Sequence, residues 1–133
     1  MTQTYTCILI DDEPYATALL EVLINELLPQ LEVKAKCHTW QEACSSILAN
    51  HYDIIFTDIS IPGKTGIDLL QLVPQRDSEI IFVTAYPDFI GETAARFNSG
   101  YILKPVEEQN LLLEVKRATG KLDAKRMTGI AAG

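Results

Sequence analysis

Basic residues are scarce in this chain: 11 lysines and arginines face 18 aspartates and glutamates, giving a formal net charge of -7 and a pI of about 4.7. Phosphate backbones and anionic lipid repel a domain of that charge, so it does not adhere non-specifically to either, and any DNA binding must reside elsewhere. Cysteine is equally sparse. Cys7, Cys37 and Cys44 are odd in number and lack Cys-x-x-Cys spacing, which argues against a disulfide framework or zinc site and for reduced, buried thiols. His38 and His51 show no metal-ligand spacing and read as structural or surface groups. No apolar run approaches the ~18 residues of a membrane span. The start, Met1-Thr2-Gln3-Thr4, lacks the basic and apolar stretches of a signal peptide, so a cytoplasmic protein without membrane contact is expected. With no internal repeat or low-complexity tract, the 133 residues suit one domain.

The chain does have four short apolar runs that each end in polar residues. Cys7–Ile10 leads into Asp11 and Asp12, Ile54–Thr57 into Asp58, Ile80–Val83 into Thr84, and Tyr101–Leu103 into Lys104 and Pro105. The runs alternate with segments of helical period, the pattern of βαβ units, so the fold class is α/β with a parallel sheet. Loops at the carboxyl ends of neighbouring parallel strands converge on one crevice. Three carboxylates, a hydroxyl and an ammonium would then share a pocket. Clustered carboxylates repel one another unless a cation intervenes, and an all-oxygen site suits a hard divalent ion, Mg²⁺.

Between the runs, Asp12 reads as a helix N-cap before Pro14. Ala16, Leu19, Leu20, Leu23 and Leu27 then recur at helical spacing as far as Pro29, predicting a helix over 14–28. Residues 31–38 alternate apolar and polar side chains and predict a strand near a sheet edge, whereas the other runs are apolar on both faces and read as interior. A second helix over 40–50 is expected to bury Trp40, Ala43, Cys44, Ile47 and Leu48. Pro62, Gly63 and Gly66 mark a loop beside the proposed pocket, followed by a short stripe of Leu69, Leu70 and Val73. Ile90, Ala94 and Phe97 make only a thin stripe, so a helix over 87–97 is a candidate for a mobile one. The last helix, from Glu107, uses Leu111, Leu112, Val115, Ala118 and Leu122. Its basic cluster, Lys116, Arg117, Lys121, Lys125 and Arg126, reads either as a solvated face at the favourable end of the helix dipole or as a partner surface. Met127–Gly133 is small and aperiodic, so the domain is expected over 1–125, with a flexible tail or the start of a linker over 126–133.

Taken together, Ile10-Asp11-Asp12-Glu13-Pro14, Thr57-Asp58-Ile59-Ser60-Ile61-Pro62 with Gly66, Val83-Thr84-Ala85, and Gly100-Tyr101-Ile102-Leu103-Lys104-Pro105 resemble the receiver domain of two-component response regulators, over residues 5 to about 122. The resemblance implies a doubly wound, flavodoxin-like (βα)5 fold with sheet order 2-1-3-4-5 and helices on both faces. It implies that Asp58 is the phosphoacceptor, served by a sensor histidine kinase. Asp12, Asp58 and the Ser60 backbone carbonyl would hold Mg²⁺, with Asp11 reaching it through water. Lys104 and Thr84 would contact phosphoryl oxygens, Thr84 and Tyr101 would form the switch, and the Lys104–Pro105 bond would be cis. On this reading the chain is a phosphoacceptor signalling domain rather than an enzyme, with self-phosphorylation and self-dephosphorylation expected. The face of residues 87–122 is then the expected place for a phosphorylation-dependent homodimer or output contact. Ile61, where Met or Leu is frequent in the family, is a conservative departure.

Each residue also has a plainer reading: Asp12 as a cap alone, Asp58 with Lys104 as a structural ion pair, Thr84 as a strand end, Tyr101 as a core side chain. An FMN-binding flavodoxin would need a glycine- and hydroxyl-rich loop where Asp11-Asp12-Glu13 repels phosphate. A phosphatase of the haloacid dehalogenase type needs a second acid where Ser60 stands. A non-phosphorylated interaction module stays open, and so does the output. The Asp-Asp-Glu-Pro start and Thr84-Ala85-Tyr86 are similar to LytR/AlgR-type transcription regulators, whose DNA-binding domain would lie outside this chain; a stand-alone phosphorelay receiver is the alternative.

Overall fold

A computed structural model of the chain describes residues 3–61, 64, 65, 67, 68, 71, 77–87 and 99–132. The stripes expected at Leu69, Leu70 and Val73 and at Ile90, Ala94 and Phe97 lie outside the described residues. The strands are β1 Tyr5–Ile10, β2 Leu31–Cys37, β3 Ile54–Thr57, β4 Ser60–Ile61, β5 Lys64–Thr65, β6 Glu79–Thr84 and β7 Gly100–Leu103. Helices α1 (Pro14–Leu27) and α2 (Trp40–Ala49) precede the long C-terminal helix, Glu108–Ala132. Five strands form one parallel sheet in the order β2-β1-β3-β6-β7, while β4 and β5 make a small antiparallel pair. Counted along the large sheet alone, this is the order 2-1-3-4-5.

The central strands are apolar at successive positions because both of their faces are covered. Cys7, Leu9, Ile54, Phe56, Ile81 and Val83 pack with Leu20 and Ile24 of α1 and Leu111 and Val115 of the C-terminal helix. Their alternates, Ile8, Ile10, Ile55, Ile80 and Phe82, pack with Ala43 of α2. β2 is an edge strand, as its alternation predicts: Glu32, Lys34 and Lys36 form an exposed row, with Lys36 bonded to Glu21 of α1 at 2.6 Å.

Other expectations are corrected. β7 is the opposite edge rather than an interior strand, and its outward residues Tyr101 and Leu103 are exposed, so an apolar run of three residues did not guarantee two covered faces. Helix α1 is capped at Glu13, without a side-chain cap bond; Asp12 lies one residue outside, and Asp11 Oδ1 instead accepts from the Glu13 amide at 3.0 Å. Leu48, 64% exposed, and Leu19 and Leu112 face outwards, each at the margin of its helix's apolar stripe. The C-terminal helix continues to Ala132, through the segment expected as an aperiodic tail. Its last turns are held to the sheet by Lys125 and Arg126, which pair with Glu79 and Asp53, contacts that local periodicity does not register.

Ile24→Ala, at a fully buried position, should cost about 2–5 kcal/mol, whereas Leu48→Ala should stay within about 0.5 kcal/mol of the wild type. Urea unfolding of both variants checks the contrast; similar losses would contradict the outward placement of Leu48.

Candidate functional site

The sheet's own hydrogen bonds place the site. Past the strand ends, the Asp11 amide donates to Cys37 O at 3.1 Å, Asp58 to Ile10 O at 3.0 Å and Lys104 to Thr84 O at 2.8 Å, so the backbones of all three polar residues are registered against neighbouring strands. Asp11 and Asp58 are buried, Asp12 is exposed, and ligand oxygens of the three lie within 4.8 Å of one another. Lys104 Nζ bridges the buried pair, 2.6 Å from Asp11 Oδ2 and 2.9 Å from Asp58 Oδ2. Asp58 Oδ1 accepts from the Ser60 amide at 3.2 Å, and the Lys104–Pro105 bond is cis. An apolar hollow of about 230 Å³, lined by Leu20, Phe56, Val83 and Val106 among others, adjoins Asp11 and Lys104.

Thr84 ends β6 fully buried, with its hydroxyl accepting from the Tyr86 amide at 3.2 Å. Tyr101 is 42% exposed on the outward face of β7. Among the described residues, no hydrogen bond joins Thr84 or Tyr101 to the acids. Sequence reasoning does not single out Thr57, whose buried hydroxyl donates to Asp58 O at 2.9 Å and so fixes the backbone that carries the carboxylate. A threonine at a strand end reads only as β-propensity.

Electrostatics follow the geometry. Partial burial, then the Asp11 carboxylate, pushes the Asp12 carboxyl up from its usual value. Burial alone would lower the Lys104 pKa, yet its hydrogen bonds to Asp11 and Asp58 outweigh that and raise it. One ammonium thus pairs with two of the three clustered carboxylates, and Asp12 has no share in it. Hard, oxygen-only and under-neutralised, this donor set fits a divalent cation.

The response regulator receiver domain family matches residues 7–116, and the chain belongs to that family. An uncharacterised response regulatory protein of Vibrio cholerae is 34% identical over 84% of this chain and 43% of its own length. The sensory transduction protein LytR of Staphylococcus epidermidis is 32% identical over 87% of this chain and 45% of its own length. The chain therefore spans less than half the length of these curated relatives. Among solved structures, the response regulatory domain of mrkE from Klebsiella pneumoniae superposes with a TM-score of 0.79 at 28% identity, covering 90% of this chain and 98% of that one. The response regulator TrrA of Thermotoga maritima, solved in complex with Mg(2+)-BeF, shares the fold with a TM-score of 0.75 at 24% identity, over 86% of this chain and 99% of that one. The protein is thus a receiver module of two-component signalling, and no described helix is long and apolar enough to cross a membrane.

A raised Asp12 pKa means that the fold favours the neutral carboxyl. Its stabilising contribution is complete below the unfolded-state pKa and is lost as pH rises through the folded one. In chelator, Asp12→Asn should therefore melt higher than the wild type near neutral pH, and the gain should vanish below the ordinary aspartate pKa of about 3.9. Thermal melts across pH check this; a gain that persists in acid would point to a cause other than charge.

Proposed function

We propose that Asp58 accepts a phosphoryl group from a phosphohistidine on a sensor histidine kinase. The observation that carries this reading is a buried carboxylate, set by the strand ladder, facing a second buried acid and sharing one lysine with it. A carboxylate oxygen of Asp58 attacks the phosphorus, the P–N bond breaks, its electron pair returns to the imidazole, and an acyl phosphate forms. Lys104, already on Asp58, follows charge onto a phosphoryl oxygen. Asp11, Asp12, Asp58 and the Ser60 carbonyl would hold Mg²⁺, which when bound neutralises charge on the moving phosphoryl group. Thr84 supplies its hydroxyl to another phosphoryl oxygen after leaving the Tyr86 amide, and Tyr101 follows it inwards as the switch. The face of residues 87–122 then changes its affinity for a second copy or an output partner. The likeness of Asp11-Asp12-Glu13-Pro14 and Thr84-Ala85-Tyr86 to LytR/AlgR-type transcription regulators, with relatives more than twice the matched length, supports a transcriptional output carried by a DNA-binding domain outside this chain, and the protein is read as cytoplasmic.

Acetyl phosphate with Mg²⁺ should add one phosphoryl mass, lost on chelation and in Asp58→Asn; modification that persists in Asp58→Asn would show a different nucleophile. Asp12→Ala should weaken Mg²⁺ binding by calorimetry by at least about tenfold, as loss of a ligand oxygen would. Lys104→Ala should retain Mg²⁺ binding while impairing phosphorylation, because an ammonium is not a Mg²⁺ ligand. Equal Mg²⁺ affinity in Asp12→Ala and the wild type would remove Asp12 from the metal set.

A further inference from the structure

Three of the five cations of the C-terminal helix turn towards the sheet. Lys125 Nζ lies 2.6 Å from Glu79 Oε2, and Lys121 Nζ lies 3.5 Å from Glu79 Oε1. Arg126 donates to Asp53 Oδ1 at 2.7 Å, its guanidinium carbon 5.2 Å from the centroid of the Tyr5 ring. The Tyr5 hydroxyl in turn donates to Asp123 Oδ1 at 2.5 Å. Both acceptor carboxylates, Glu79 and Asp53, are 7% exposed. Glu79 opens β6, Asp53 immediately precedes β3 and Tyr5 opens β1, so the cluster sits at the end of the sheet opposite Asp58 and Thr84. Asp53 also accepts from the Thr6 amide at 2.8 Å, which ties its carboxylate to β1 independently of Arg126.

The helix needs this arrangement. Among its described side chains, the buried apolar residues are Leu111, Val115, Ala118 and Leu122, while Met127 is 72% exposed. A helix end without tertiary packing frays, since helical stability in proteins comes mostly from the packed face. Past Leu122, among the described side chains, ion pairs rather than apolar burial hold the helix, and lifting it would take Lys125 and Arg126 away from two buried carboxylates.

We infer that this cluster is a clasp that makes residues 119–132 a rigid extension of the domain, referenced to the two strands that end in Asp58 and Thr84. The sheet, not a loose helix end, sets the direction in which the chain leaves the domain. This stands on the geometry of Glu79, Asp53 and their cations and does not require that Asp58 accept phosphate.

Amide hydrogen exchange on the full chain tests it, comparing the wild type with Lys125→Gln, Arg126→Gln and Glu79→Gln. The glutamine variants on the helix remove the charge while keeping a polar, unbranched side chain of similar helix propensity. Exchange over residues 123–132 should rise by about tenfold or more in each, while residues 111–118 and β1 stay within about twofold. Unchanged exchange over 123–132 would overturn the clasp. So would a uniform rise across the domain, which would make the cluster a contributor to global stability only. Where Glu79→Gln fails to fold, the two helix-side variants decide the outcome.

Discussion

One ammonium shared by two buried carboxylates is the constraint around which this domain is arranged. Asp11 and Asp58 end adjacent strands, so the sheet ladder itself forces them together. Their cation comes from β7, which β6 separates from β3. Strands pack about 4.8 Å apart, so a side chain from β7 must cross roughly 10 Å to reach Asp58. Lysine has that reach, with help from the loop that carries it, and the crossing is possible only if β6 ends in small residues. Thr84 and Ala85 stand there. The length of one side chain and the shortness of another are thus two halves of one requirement.

The same reasoning explains what could be read without coordinates. Asp11, Asp58 and Lys104, which the structure brings together, were legible because each follows an apolar run at the carboxyl end of a strand of the parallel sheet. The helix limits were legible from Pro14, Pro29 and the apolar period. The course of residues 126–132 was not, because the pairs that hold the helix join residues 46 and 73 positions apart, Glu79 to Lys125 and Asp53 to Arg126. Local composition carries no trace of such partners. The β7 edge was misread for a related reason: a tyrosine and a leucine facing outwards look, in sequence, like residues facing a second layer.

Charge is used differently at the two ends of the sheet. At the carboxyl end, acids outnumber their cation, and the imbalance makes the pocket receptive to further positive charge. At the amino end, Glu79 is matched by Lys121 and Lys125, and Asp53 by Arg126 with His51 at 3.4 Å. A net acidic chain thereby gathers under-neutralised carboxylates at one end of its sheet and matched ion pairs at the other.

The exposed row on β2 bears on how the domain behaves in a crowd. A sheet edge offers unpaired amides and carbonyls on which a foreign strand can add. Along this edge, Glu32, Lys34 and Lys36 stand out in sequence, with Lys34 3.1 Å from Glu32 and Lys36 fastened back to α1. An incoming strand would have to desolvate these charges and break those pairs before gaining a single ladder bond. Resistance to edge-to-edge aggregation therefore comes from the same alternation that made β2 recognisable as a strand.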